Sequence, residues 1–223
     1  MRRVFLRAMT AVVALGLAAG CDGGTSAPPR EDFTKEQLSR AVLEKAALDG
    51  SSRFKVMQIP QKEFRKLSVD PSSRCGPVRL AIGHTTVPRA EVRTTELVWP
   101  GDSTGPLQVS LLAHRYDDAR AVMKGLRATL AHCRTYRDEE GDTDEVTRLH
   151  ARFGDESVAF TVELAADSPA TVMARIMFRF VVVRAGSVVV FVSRLDSQAG
   201  GARFIASADT VLRAQLDKLA RTA

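Results

Sequence analysis

Cysteine is scarce in this chain, and so are aromatic residues. Three cysteines, one tryptophan and two tyrosines occur in 223 residues. Three cysteines exclude a disulfide-dense mini-scaffold, a four-cysteine zinc site and an iron–sulfur cluster. No apolar run reaches the roughly 18–20 residues needed to span a bilayer as a helix, which excludes a polytopic membrane protein. Metal-binding patterns are missing, and no catalytic pattern stands in its expected structural context. The four histidines His84, His114, His132 and His150 form neither an H-x-H nor an H-E-x-x-H pattern. There is no glycine-rich phosphate loop. Gly101-Asp-Ser-Thr-Gly105 spells G-x-S-x-G but leads into an expected strand at 106–115 instead of the helix a nucleophile elbow needs. Ser52-Arg-Phe-Lys55 spells S-x-x-K without the S-D-N and K-T-G strings that accompany it in the enzymes that use it. The sequence thus names no catalytic residue, no metal site and no cofactor. A hydrophobic content of 45% beside 26% charged residues excludes a wholly disordered chain.

The N-terminus carries the clearest signal. Residues 1–20 have the parts of an export signal: basic Met1 to Arg7, an apolar run from Ala8 to Ala19, and small residues before a cleavage point. Leu17-Ala-Ala-Gly-Cys21 looks like a bacterial lipobox. That pattern implies diacylglyceryl transfer to the Cys21 thiol and cleavage before it. Each buried methylene contributes about 0.8 kcal/mol, so two or three acyl chains hold a water-soluble body on a bilayer. The blander reading is a plain secretory signal with an incidental cysteine. Residues 21–32 are rich in Gly, Ser and Pro and read as a flexible tether. Removal of Arg2, Arg3 and Arg7 leaves 29 basic residues against 26 acidic ones, so the formal charge falls from +6 to +3. That small, dispersed excess gives no reason to expect a nucleic-acid partner. The expected membrane partner is the bilayer itself, reached through Cys21 on the extracytoplasmic face of the cell membrane.

With Cys21 committed to lipid, Cys75 and Cys133 remain in an oxidising compartment, and a Cys75–Cys133 disulfide is expected. The alternative is a reactive Cys133 beside His132. Sequence neighbours on a helix point about 100° apart, so adjacency is weak support for a dyad.

Residues 33–223 read as one domain. Thr34-Lys-Glu-Gln37 fits a capping box that opens a helix over 34–48. Strands are expected at 54–59, 89–99 and 106–115, with a short helix around 75–82. A second long helix, capped by Asp117 or Asp118, runs to Cys133 with Val122, Met123, Leu126 and Leu130 on its apolar stripe. Asp138 to Glu145 recapitulates part of a calcium loop, but its glycine comes early and no twelfth-position acid closes it, so a solvated turn is expected. Strands follow at 149–153, 158–164, 172–182 and 187–191, the last apolar on both faces. A helix over 204–221 ends the chain. His114 and His150 are expected to face solvent. Short turns between strands imply antiparallel ribbons. The order predicts an α+β fold: an antiparallel sheet with helices packed on one face, in a single domain.

A helix ending Ala131-His-Cys133-Arg and a strand pair reading Val181-Val-Val-Arg-Ala-Gly-Ser-Val-Val-Val190 resemble the extracytoplasmic sensor-type domain of PknH-like mycobacterial kinases. Related actinobacterial lipoproteins carry that domain without a kinase. The resemblance implies an antiparallel sheet flanked by helices, with a cleft proposed to bind an unidentified ligand. It supplies no catalytic residues. The PknH type uses two disulfides where this chain can form one, so its cleft geometry does not transfer.

One ligand-binding candidate comes from the residues themselves. Arg175 and Arg179 share the odd face of the 171–183 strand with Met173 and Met177. Two guanidiniums on a flexible Met surface suit a carboxylate or phosphate. The same residues also suit a solvent-facing strand that pairs with acids on its neighbour, such as Glu163. Trp99, before Pro100, reads equally as an exposed anchor or a core edge. Three functions remain open: a membrane-anchored, non-enzymatic binding or sensor-type module for a small molecule or envelope component, an envelope hydrolase without a recognisable motif, and a structural interaction module.

Overall fold

The computed structural model describes residues 32–44, 48, 55–58, 69–99, 105–138, 141–164, 176–196 and 201–223. Cys21 and Arg175, and with them the lipid and part of the Arg/Met candidate, lie outside these residues.

Thr34 accepts from Gln37 N–H while the Gln37 side chain accepts from Thr34 N–H, so the expected capping box starts α1, Lys35–Arg40. The helix is shorter than the 34–48 expected. Its continuation is captured by side chains from elsewhere: Gln215 Nε2 donates to Ala41 O at 2.7 Å, Lys218 Nζ to Val42 O, and Leu43 N–H to Glu96 Oε1 at 3.3 Å. Then come β1 (Lys55–Gln58), α2 (Gly76–Ile82), β2 (Val92–Trp99) and β3 (Leu107–Ala113). Helix α3 spans Tyr116–His132. Neither Asp117 nor Asp118 caps it: both sit in the first turn, where they complement the helix dipole. Asp32 Oδ1, 84 residues away in sequence, accepts from Tyr116 N–H at 3.0 Å.

Five strands follow: β4 (Thr135–Arg137), β5 (Thr143–Leu149), β6 (Glu156–Glu163), β7 (Met177–Ala185) and β8 (Val188–Asp196). Helix α4, Gly201–Thr222, closes the chain. The strand expected at 149–153 begins and ends earlier. Ala151 and Phe153 leave the ladder in a tight turn, where Ser157 Oγ accepts from Phe153 N–H and donates to Ala151 O. The acidic segment turns the chain between β4 and β5, and Asp138 Oδ1 accepts from Asp142 N–H.

All eight strands form one antiparallel sheet in the order β1-β2-β3-β8-β7-β6-β5-β4. Helix α3 carries the chain from central β3 to the far edge. A five-strand meander then returns until β8 pairs with β3. The α+β fold with a single antiparallel sheet is therefore as expected.

The helices, however, pack on both faces rather than one. Leu111, Val181, Val183 and Val190 join Leu38 of α1 and Phe204, Val211 and Leu212 of α4 in one core. Leu112, Phe180, Val182 and Phe191 join Val78 of α2 and Met123, Leu126 and Leu130 of α3 in the other. The reason lies in the central strands. Successive residues of β7 and β8 are apolar at odd and even positions alike, and each face must be removed from water. The Cys75–Cys133 disulfide is formed, with Cα atoms 5.4 Å apart, and it joins the start of α2 to the end of α3.

Candidate ligand-binding face

The α2/α3 layer covers only part of its sheet face. Strand parity places Lys55, Met57, Leu97, Trp99, Gln108, Ser193, Leu195 and Phe178 on that face, in register across β1, β2, β3, β8 and β7. Toward the Leu112 and Val182 end these strands lie beneath the helices. Toward the other end they emerge. Leu195 is 58% exposed, Met57 48% and Ile176 38%, while Leu97, Trp99 and Phe178 are partly buried. Four large hydrophobic residues are exposed among the described ones, and three of them fall on this half-face. The fourth is Val87 at 55%. Scattered exposed apolar residues are ordinary, but a cluster on one sheet face marks a surface that something covers. The segments that follow β1, β2, β6 and β8 at this end lie outside the described residues.

A buried polar band separates the covered and uncovered halves. His84, just after α2, sits in left-handed backbone (φ 49°) that drives its ring onto the sheet. Its Nδ1 lies 2.7 Å from Ser110 Oγ, and its Nε2 lies 2.7 Å from Ser193 Oγ. Thr95 Oγ1 lies 2.7 Å from Ser110 Oγ and accepts from Arg93 Nε at 3.3 Å. Gln108 Nε2, a donor only, approaches His84 Nδ1 at 3.4 Å. Nδ1 is thus the acceptor, the proton resides on Nε2, and Nε2–H donates to Ser193. The ring stacks on Phe191 and meets Phe180 edge-on. Burial, helped by the Arg93 charge, pushes the imidazole down to about 3, so it is neutral throughout the physiological range.

His114 is also buried, contrary to its expected solvent exposure. Alternation of Leu107, Val109, Leu111 and Ala113 made the even face of β3 look external. That face is the one that α2 and α3 cover. His114 Nε2 reaches Thr86 Oγ1 at 3.4 Å, and burial, opposed in part by Asp118, lowers its pKa to about 4.

The opposite face holds what is described of the Arg/Met candidate. Arg179 is buried on the α1/α4 side, cross-strand from the equally buried Arg194, and both reach Asp196 Oδ2 at 3.4 Å. The Arg194 guanidinium also lies over the Phe204 ring at 5.5 Å. Met177 shares this face at the register position of Glu163 and Asp196. On the same side Glu96 is buried against the segment after α1. Burial raises its carboxyl to about 7 against the pull of Leu43 N–H and the Lys218 charge.

These arrangements limit the chemistry available. Ser110, His84 and Ser193 form a hydroxyl–imidazole–hydroxyl chain, but all three are buried beneath the loop after α2 and serve packing and polar satisfaction. No group of three or more His, Cys, Asp or Glu side chains that could hold a metal ion occurs among the described residues. Cys133 is consumed in the disulfide, so the thiol–imidazole alternative is closed. No described helix is long and apolar enough to cross a membrane. Sequence reading passed over His84, Leu97 and Leu195. His84 has no neighbour pattern, and single leucines in Thr-Glu-Leu-Val or Arg-Leu-Asp contexts reveal their face only once register is known. The parity of Met57, Leu97 and Trp99 was the one available clue.

No family model and no curated protein matches this chain. Among solved structures, the extracellular domain of PknH from Mycobacterium tuberculosis is similar, with a TM-score of 0.51 and 15% sequence identity. The similarity covers 86% of this chain and 100% of that one. At this identity the likeness establishes a shared fold.

Proposed function

We propose that this chain is a membrane-anchored, extracytoplasmic binding module of the cell envelope with no catalytic role of its own. The half-uncovered α2/α3 face carries the binding part of that reading: it gathers three exposed large hydrophobics beside a rigid polar band. The address is supported by the lipobox-like residues 17–21, by a Cys75–Cys133 disulfide suited to an oxidising compartment, and by a fold shared with a domain described as extracellular. A tether through Cys21 would confine the module near the membrane and raise its effective concentration there. An envelope hydrolase is the weaker reading, because the one Ser–His chain among the described residues is sealed from substrate.

Two measurements test this. Fractionation of host cells expressing the wild-type chain and Cys21→Ala should move the protein from the membrane to the soluble or secreted fraction. Unchanged membrane retention refutes the anchor. Native mass spectrometry of host-purified protein should show a reproducible non-covalent mass adduct. Its absence, together with no thermal shift across an envelope-metabolite panel, refutes the binding role.

A further inference from the structure

The uncovered half-face has a charged corner. Lys55 and Trp99 are cross-strand partners on β1 and β2, and Lys55 Nζ stands 5.7 Å from the Trp99 ring centroid. From that corner Met57 and Leu97, then Leu195 and Phe178 carry a mainly apolar strip across the sheet to β7, with Gln108 the β3 residue opposite Leu97 between them. Four inter-strand steps at about 4.8 Å make the strip about 19 Å long, and two same-face residues per strand make it about 14 Å wide at most. That is on the order of 300 Å², well short of the roughly 800 Å² that each partner contributes to a stable protein interface. A single linear apolar chain fits these dimensions better than a second protein surface does. At about 1.25 Å per carbon, from bonds near 1.5 Å at the tetrahedral angle, about 19 Å corresponds to roughly 15 carbons. The cation lies at one end of the strip, where a chain bearing one terminal charge needs it.

We propose that this strip holds the acyl chain of an anionic amphiphile, with its head group against Lys55 and its tail over Leu97 and Leu195. The inference rests on the reading of this protein as a binding module and adds the ligand class. Trp99, the only tryptophan in the chain, sits where the head-proximal carbons would lie.

The test uses Trp99 emission from residues 32–223. These carry every described element, in a fold that stands alone as a domain in the PknH structure. The probe is 9,10-dibromostearate below its micellar concentration, which quenches a tryptophan it touches. Saturable quenching that oleate reverses is expected. Leu195→Glu should weaken apparent affinity at least tenfold, and Lys55→Glu about threefold or more. Val87→Glu, at a similarly exposed site off the strip, should leave affinity within about twofold. No saturable quenching, or equal losses in Val87→Glu and Leu195→Glu, overturns the proposal. A dimer by light scattering that Leu195→Glu dissociates also overturns it, because the strip is then a self-interface. If quenching fails while host-purified protein carries a polar adduct, the ligand class is wrong and the binding module stands. Failure of both refutes both.

Discussion

Glu96 offers a quantitative check on the packing around α1. Its carboxylate is 2% exposed, one oxygen accepts from Leu43 N–H at 3.3 Å, and the other has no hydrogen-bond partner. Burial raises its pKa to about 7 from the usual 4.5. The folded state therefore holds a proton that the unfolded state releases. Stability falls as pH rises from about 4.5 to 7, at up to about 1.4 kcal/mol per pH unit, and the accumulated cost above pH 7 is about 3 kcal/mol. Glu96→Gln keeps the shape and the acceptor for Leu43 N–H but cannot ionise. The variant should match wild type near pH 4.5 and exceed it by about 3 kcal/mol at pH 8. Urea unfolding of both proteins at pH 4.5, 6 and 8, compared as a difference, cancels every other titrating group. A difference that does not change with pH refutes the argument. A variant less stable than wild type at pH 8 would mean that Lys218 and Leu43 N–H favour the carboxylate more than burial penalises it.

The remaining expectations are briefer. His84 and His114, lowered to about 3 and 4, each contribute stability that is complete above the unfolded value near 6.5 and is lost as pH falls toward the folded values. His84→Ala should therefore flatten the acid limb of the stability–pH curve, and it should cost about 3 kcal/mol or more at pH 7 by leaving Ser110 and Ser193 without their partner. Removing the disulfide as Cys75→Ala/Cys133→Ala, with a sequence separation of 58 residues, should cost on the order of 4 kcal/mol in chemical denaturation, and a thiol titration of unfolded, unreduced wild-type 32–223 should find no free thiol. Gly154→Ala should lower stability by about 1–3 kcal/mol in thermal melts, because its φ is +54° and a Cβ would lie 2.6 Å from both Arg184 O and Val183 Cγ1.

Local periodicity made the elements legible. The capping box at Thr34, the stripe Val122–Met123–Leu126–Leu130 and the alternations of β3, β6 and β7 are all properties of neighbouring residues. The pairing of Cys75 with Cys133 followed from how few cysteines there were. What failed depended on contacts distant in sequence. Helix α1 stops at Arg40 because Gln215 and Lys218, some 174 residues later, take its next carbonyls. His114 is buried because a helix lies over a face that alternation alone assigned to water. The two-sided placement of helices was implicit in β8, read as apolar on both faces, yet one-sided packing was drawn from the element order. The uncovered strip was least legible of all. Its residues come from five strands, and no window of sequence contains more than two of them.

The fold also sets the strip's relation to the N-terminal segment. Phe33 N–H donates to Ser187 Oγ at the β7–β8 turn, and Asp32 caps α3 beside it. Leu195 lies eight residues along β8 from that turn, about 27 Å at 3.4 Å per residue. On the proposed lipid anchor, residues 21–31 link the acyl chains to this end of the sheet. As the tether expected from its Gly, Ser and Pro content, a segment of that length would have an r.m.s. span of about 18 Å. The strip then points, on average, away from the anchoring bilayer, so its ligand would come from the envelope and not from the membrane beneath it. Lipidated full-length protein in vesicles of brominated phosphatidylcholine should accordingly show Trp99 emission close to that in unbrominated vesicles. Quenching there as strong as with free dibromostearate would mean that the strip lies down on the bilayer, and the domain would then be reading the membrane surface to which it is tied.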